Sequence, residues 1–193
     1  MSQLFEAIKV ENGKLFNIEY HNERLNRSRK EMFGCNDSID LNKEIKIPKD
    51  IRKGLYKCRV VYDKKINKIE FLPYIKPKIK TLKIIECNDI DYKYKYLDRT
   101  KIEELLKQKG ECDDILIVKK GLVTDTSIAN ICFYDGQKWI TPNEPLLRGT
   151  KRAKLLKEGL ISEEKITQKD IKKFKKASLI NAMLDLEDVQ IFF

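Results

Sequence analysis

The residues in this chain best suited to chemistry gather at the opening of one segment. Gly149-Thr150-Lys151-Arg152 leads into an apolar-periodic helix carrying Ala153, Leu155 and Leu156, with Thr150 as the expected N-cap. Lys151 and Arg152 place two cations in the first turn, where the helix dipole prefers anions. That placement makes sense if a phosphate or carboxylate docks on unsatisfied backbone N–H groups there. On charge alone a solvated basic turn is the simpler account. Arg59, in the middle of Tyr56-Lys57-Cys58-Arg59-Val60-Val61-Tyr62, could grip a substrate carboxylate with its bidentate fork, or face water. From Asp91 to Arg99 tyrosine alternates with lysine, so an extended backbone sets Lys93 and Lys95 on one face and Tyr92, Tyr94 and Tyr96 on the other. Periodicity does not choose between the two lysines, and an edge strand defended by lysine carries the same pattern.

Other chemistries are poorly served. His21 is the only histidine, which argues against a Ser-His-Asp triad or a multi-histidine metal site, and no metal is expected. Arg148-Gly149-Thr150-Lys151 lacks the earlier glycine and the Gly-Lys-Ser/Thr order of a P-loop. With no Gly-x-Gly-x-x-Gly in the chain, a Rossmann dinucleotide site is not supported. Cys35, Cys58, Cys87, Cys112 and Cys132 are odd in number and widely spaced, and read as reduced thiols of a cytosolic protein.

A scaffold must hold these groups, and 193 residues with 41% hydrophobic content suffice for a real core. A formal charge of +10 favours anionic partners without separating nucleic acid from a phosphorylated cofactor or an acidic metabolite. No apolar run approaches bilayer length, and charges come too early at the N-terminus for a secretory signal.

Runs at Leu4 to Val10 and Lys14 to Ile18, joined by Asn12-Gly13, predict a hairpin with a type I′ turn. A helix is expected from about Asn22 to Phe33, with Leu25, Met32 and Phe33 inward, Arg24, Arg27, Arg29 and Lys30 elsewhere, and Gly34 as its C-cap. Strands are expected at Gly54 to Tyr62, Lys68 to Tyr74, Leu82 to Cys87 and Asp114 to Lys119, with a helical turn opened by Pro48 and a helix from Thr100 to about Gln108. Lys120-Gly121 and Asp135-Gly136 mark two further hairpin turns around a short strand that bears Asp125. Gly159 should stop the helix from Thr150, Lys169 to Lys175 reads as a lysine-dense helix, and Val189 to Phe193 as a final packed strand.

Taken in order, Thr124-Asp125-Thr126-Ser127, Asn130, Trp139-Ile140-Thr141-Pro142 and Leu147-Arg148-Gly149-Thr150-Lys151-Arg152 resemble the signature of class IV aminotransferases. His21-x-x-Arg24-Leu25 resembles that family's His-x-x-Arg-Leu element, Lys95-Tyr96-Leu97-Asp98-Arg99 the Lys-x-Leu-Asn-Arg of its aminodeoxychorismate lyase branch, and Asn181-Ala182 its late Asn-Ala element. The resemblance implies an α/β (α+β), two-lobed fold with a shortened N-terminal α/β sandwich over 1–86 and a larger pseudobarrel-like C-terminal lobe over 87–193, with pyridoxal 5′-phosphate in the cleft between them. It selects Lys95 over Lys93 as the catalytic Schiff-base lysine. It further implies cofactor contacts from Arg24, Asp125, Thr126, Gly149, Thr150, Lys151, Asn181 and Ala182, with Asp125 taking the ring-nitrogen place of the family's usual glutamate. Arg59 and Arg99 become the candidates for substrate. By the same resemblance the chain is a cytoplasmic homodimer acting on a small amino substrate, as a transaminase or a lyase, without membrane or nucleic acid. A basic nucleic-acid-binding module, with Tyr92 to Tyr96 as its aromatic strip, and a class IV domain that has lost catalysis are the competing readings.

Overall fold

The computed structural model describes residues 2–192. The chain divides into two compact units, one comprising the residues up to Lys76 together with Tyr94–Asp98, the other Pro77–Lys93 and the residues from Arg99 onward.

In the first unit, β1 (Leu4–Glu11), β2 (Lys14–Leu15), β3 (Leu55–Tyr62) and β4 (Ile66–Pro73) form an antiparallel sheet in the order β2-β1-β3-β4. Asn12 and Gly13 both take positive φ (49° and 76°), as the type I′ turn between β1 and β2 requires. Strict alternation turns Leu4, Glu6, Ile8 and Val10 inward, where the apolar three join Leu25, Leu41, Cys58, Val60 and Tyr62 in one core.

Helix α1 (Ile18–Phe33) begins four residues before the expected start. Its buried side chains are His21, Arg24, Leu25, Ser28 and Arg29, so a largely polar inward stripe hides the helical period from a hydropathy reading. Gly34 closes α1 at φ 68°, its N–H reaching Lys30 O while Cys35 N–H reaches Arg29 O. Arg29 is not on the solvated side; it is 2% exposed and donates to Lys64 O, Asp37 O and the Asp37 carboxylate. A short α2 (Leu41–Glu44) and a 3₁₀ turn after Pro48 (Lys49–Ile51) complete the unit.

Tyr94–Asp98 returns to this sheet without becoming a regular strand. Leu4 and Tyr96 make a single antiparallel bridge, Phe5 N–H donates to Lys95 O at 3.0 Å and Leu97 N–H to Gln3 O at 2.8 Å. The expected tyrosine–lysine alternation therefore does not persist as a strand. Tyr94 and Tyr96 pack on the first core, Tyr92 is buried in the second unit, Lys93 is exposed and Lys95 is half-buried.

The second unit carries β5 (Leu82–Glu86), α3 (Thr100–Leu106), β6 (Asp114–Lys119), β7 (Leu122–Thr126), β8 (Asn130–Tyr134), β9 (Trp139–Pro142), α4 (Thr150–Lys157), β10 (Ser162–Glu164), β11 (Lys176–Ile180) and β12 (Gln190–Phe192). Its sheet runs β10-β9-β8-β7-β6-β5, with β11 pairing both β8 and β12. Lys120 and Gly121 take positive φ at the β6–β7 turn, while Asp135-Gly136 belongs to a four-residue turn closed by Asp135 N–H to Lys138 O rather than to a two-residue one. Three further expectations shift. Gly149, not Thr150, is the N-cap of α4. The lysine-dense segment is a 3₁₀ turn, Gln168–Lys173, started by a Thr167–Asp170 capping box and anchored by Ile171 alone. Phe192 is 73% exposed at the sheet edge instead of packed, and Phe193 lies outside the described residues.

No helix among the described residues is long and apolar enough to cross a membrane, and no group of His, Cys, Asp or Glu among them could hold a metal. The cysteines are free thiols. Arg29→Ala should lower the unfolding free energy by roughly 2–4 kcal/mol, because three backbone and side-chain acceptors lose a buried cation together. Urea titration measures this, and a loss near zero would place the clamp outside the cooperative core.

Candidate active site

Asp125 sits on β7 one residue before a turn whose geometry is set by Thr126. The Thr126 hydroxyl accepts from Ile128 N–H at 3.4 Å and Ala129 N–H at 3.2 Å, and Thr126 N–H donates to Ala129 O. The tight turn brings Asn130 opposite Asp125 in register. Asn130 Nδ2 donates to Asp125 Oδ1 at 2.8 Å and to Leu147 O at 2.8 Å, while Leu147 N–H donates to Asp125 Oδ2 at 2.9 Å. Burial raises the Asp125 carboxyl to about 6, against opposing pulls from the Leu147 and Asn130 hydrogen bonds and the charge of Arg152. The result is an oriented carboxylate with lone pairs to spare and an unusually high proton affinity.

Gly149 is where this arrangement meets α4. A Cβ at this position would stand 2.1 Å from Asn130 Oδ1, so only a hydrogen fits between the helix cap and the amide that aims Asp125. The two first-turn cations of α4 are explained locally. Lys151 Nζ pairs with Asp185, and Arg152 Nη2 bonds both Glu163 and Pro142 O. Their side-chain charges thus offset the dipole mismatch through carboxylates of the chain itself. Ala153 N–H makes the first bond to Gly149 O, so the first-turn amides precede the helical ladder, and Arg152 Nε is a buried donor with no hydrogen-bond partner among the described residues.

Asn181 follows β11 and spends its side chain on a turn. Its Oδ1 accepts from Met183 and Leu184 N–H, its Nδ2 donates to Ile128 O, and its N–H bonds Leu184 O. Ala182 sits inside that turn. Arg99 donates Nη2 to Ser127 O at 2.7 Å and lies 6.0 Å over the Tyr92 ring. A cavity of about 350 Å³ opens beside Tyr92, Lys119, Leu122, Thr124 and Leu146.

In the first unit, Lys95 Nζ lies 4.7 Å over the Phe5 ring. Arg24 is buried and bonds Glu6 through Nε at 2.8 Å and Nη2 at 2.5 Å, with His21 Nδ1 2.6 Å from the same carboxylate. Arg59, also beside Phe5, pairs across the strand with Glu70 at 2.9 Å. The tyrosines from 92 to 96 are spent on packing, so they do not present the exposed aromatic strip of a nucleic-acid face.

Sequence reasoning missed Glu6, and gave Asn130 no task beyond its place in a motif. Glu6 had a signal: it is the one charged residue in the inward phase of Leu4-x-Glu6-x-Ile8-x-Val10. Asn130 had none, because its work depends on Leu147 and Gly149 arriving from seventeen or more residues away.

A family profile for amino-transferase class IV matches residues 93–190. An uncharacterised protein of Haemophilus influenzae is 42% identical over 185 residues, spanning 95% of this chain and 98% of that one. Among solved structures, a Haemophilus somnus protein provisionally named a 4-amino-4-deoxychorismate lyase gives a TM-score of 0.89 at 39% identity, covering 96% of this chain and 98% of its own. A Mesorhizobium loti protein provisionally named an amino-acid aminotransferase gives a TM-score of 0.79 at 20% identity over 99% of both chains, a likeness of fold. The chain belongs to the class IV aminotransferase family, which depends on pyridoxal 5′-phosphate, and it has that family's mixed α/β fold.

Two outcomes follow. Gly149→Ala should push the Asn130 amide off Asp125 and destabilise the protein by roughly 1–3 kcal/mol in chemical denaturation; an unchanged midpoint would mean the cap has room to spare. For Asp125 the folded carboxyl binds its proton more tightly than the unfolded one, so its contribution is fullest below about pH 4 and is lost as pH rises through about 6. Without cofactor, the wild type should lose on the order of 3 kcal/mol relative to Asp125→Asn between pH 4 and 7, read from paired unfolding curves.

Proposed function

We propose that this chain is a pyridoxal-phosphate enzyme acting on a small amino-bearing carboxylate, with Lys95 as the covalent attachment point. The observation that carries the reading is Asp125: a buried, doubly hydrogen-bonded carboxylate on a short strand, its proton affinity raised, next to a helix start shaped by Gly149. The residues present fit the cofactor. Its ring nitrogen needs a basic carboxylate to accept from its N–H near neutrality, a part that Asp125 can take although it is one methylene shorter than glutamate. Its phosphate needs backbone donors and a cation, for which α4 offers its first amides and the orphaned Arg152 Nε.

When bound, the cofactor supplies an electron-withdrawing ring that eases bond-breaking at the substrate α-carbon. Lys95 would hold it through Nζ, and the Lys95 amine would serve as the general base for the substrate α-proton. Asp125 would keep the ring nitrogen protonated, with Asn130 and Leu147 preventing the carboxylate from turning away. The phosphate would be held by Arg24, the Thr150 hydroxyl and amide, the Lys151 amide and the turn at Asn181-Ala182, while Thr126 keeps the hairpin closed under Asp125. Arg99 is assigned to the substrate carboxylate. Arg59 is a second candidate that would first have to leave Glu70. Lys95-Tyr96-Leu97-Asp98-Arg99 favours the lyase branch, and the provisional name of the Haemophilus somnus protein agrees. On that reading pyruvate is eliminated from an aminodeoxychorismate-like substrate and 4-aminobenzoate is released, by a cytosolic homodimer.

The purified protein should develop a visible absorption band on adding pyridoxal 5′-phosphate, and borohydride followed by peptide mapping should find the label on Lys95. Lys95→Ala should lose both the band and turnover. Label confined to exposed lysines such as Lys93 would sink the proposal in favour of a class IV domain without catalysis. Product analysis with aminodeoxychorismate against branched-chain and D-amino acids then separates elimination from amino transfer.

A further inference from the structure

Glu6 is fully buried on the inward face of β1, in a layer otherwise made of Leu4, Ile8 and Val10. A carboxylate there is costly unless donors match its charge. Residues three apart on α1 supply them from one helical face. Arg24 brings two parallel bonds, Nε to Oε1 at 2.8 Å and Nη2 to Oε2 at 2.5 Å, and His21 Nδ1 stands 2.6 Å from Oε2. Burial alone would raise the Glu6 carboxyl, but the Arg24 charge and the hydrogen bonds from His21 and Arg24 override it and hold it at about 2. Glu6 is therefore ionised and accepts only, which puts the imidazole proton on Nδ1 and leaves Nε2 as the unprotonated nitrogen. Burial pushes the His21 pKa down, Glu6 opposes, and the charges of Arg24 and Lys95 add to the depression, so the ring stays neutral.

A pair that served stability alone would need one cation for one carboxylate. Here a second, neutral donor shares Oε2 with Arg24 Nη2, and the guanidinium is locked by the edge that a long, many-rotamer side chain most needs locked. Resting on the assignment of Arg24 to the cofactor phosphate, we infer that Glu6 is a positioning residue: it presets the Arg24 guanidinium and fixes the His21 tautomer, so that a phosphate-bearing ligand meets an oriented cation instead of a mobile one.

The test compares pyridoxal 5′-phosphate with pyridoxal, which lacks the phosphate, in the wild type and in Glu6→Gln. Glutamine has the same shape but not the charge. Affinity for pyridoxal 5′-phosphate should fall by roughly 10- to 100-fold, and affinity for pyridoxal should stay as in the wild type. In an Arg24→Gln background the same change at Glu6 should have no further effect on the ratio. The tautomer is read independently, without cofactor or variant, because the single histidine gives one set of imidazole nitrogen-15 signals. The Nδ1–H form is expected. A wild-type Nε2–H form, or a Glu6→Gln protein that keeps the full preference for the phosphorylated ligand with Lys95 still labelled, overturns the inference alone. A wild type whose Lys95 takes no label overturns the proposed function, and the inference with it.

Discussion

A carboxylate removed from water must find donors, and the way Asp125 finds them organises the second unit around it. One oxygen takes the Asn130 amide from the neighbouring strand and the other takes a backbone N–H from the loop before α4. Strand, loop and helix start are thereby tied to a single side chain. The Thr126 turn sets the register, Asn130 spans it, and Gly149 leaves the space Asn130 needs. Oriented by fixed donors and buried, the carboxylate is held in one direction, as its proposed contact with a cationic ring nitrogen requires.

The first unit applies the same constraint to the opposite sign. Arg24 and Arg29 are buried on α1, and each is answered by oxygens from distant segments: Glu6 on β1 for the former, Asp37 and the Lys64 carbonyl for the latter. Breaking such a pair leaves an uncompensated charge, so these contacts specify one arrangement of α1 even where they add little net stability. Lys151 with Asp185 and Arg152 with Glu163 repeat the device at α4. In a chain of net charge +10, the cations that matter to structure are the few held against carboxylates; most of the remaining lysines are exposed or half-buried.

Hairpins with Asn12-Gly13 and Lys120-Gly121, the Gly34 and Gly159 helix stops, the strand at Asp114–Lys119 and most strand positions were legible from turn chemistry and periodicity, because those signals act over a few residues. Less legible were elements whose inward face is polar or thin. Helix α1 began early because His21, Arg24 and Arg29 line its buried side, and the lysine-dense segment settled into a 3₁₀ turn because Ile171 alone anchors it. The Tyr92–Tyr96 alternation failed as a strand because its residues are divided between two units instead of sharing one pleated face.

The amino-acid order by itself determined the family signature and the presence of an acid on a short strand before a Gly-Thr helix start. Those are properties of residue type and spacing, which a linear text preserves. Only the tertiary structure decided that Lys151 and Arg152 are answered by Asp185 and Glu163, that Arg59 is answered by Glu70, and that Glu6 stands between Arg24 and His21. Each of those outcomes depends on burial and on partners eleven or more residues away, and the cost of an unpaired charge has no local trace until the chain has closed around it.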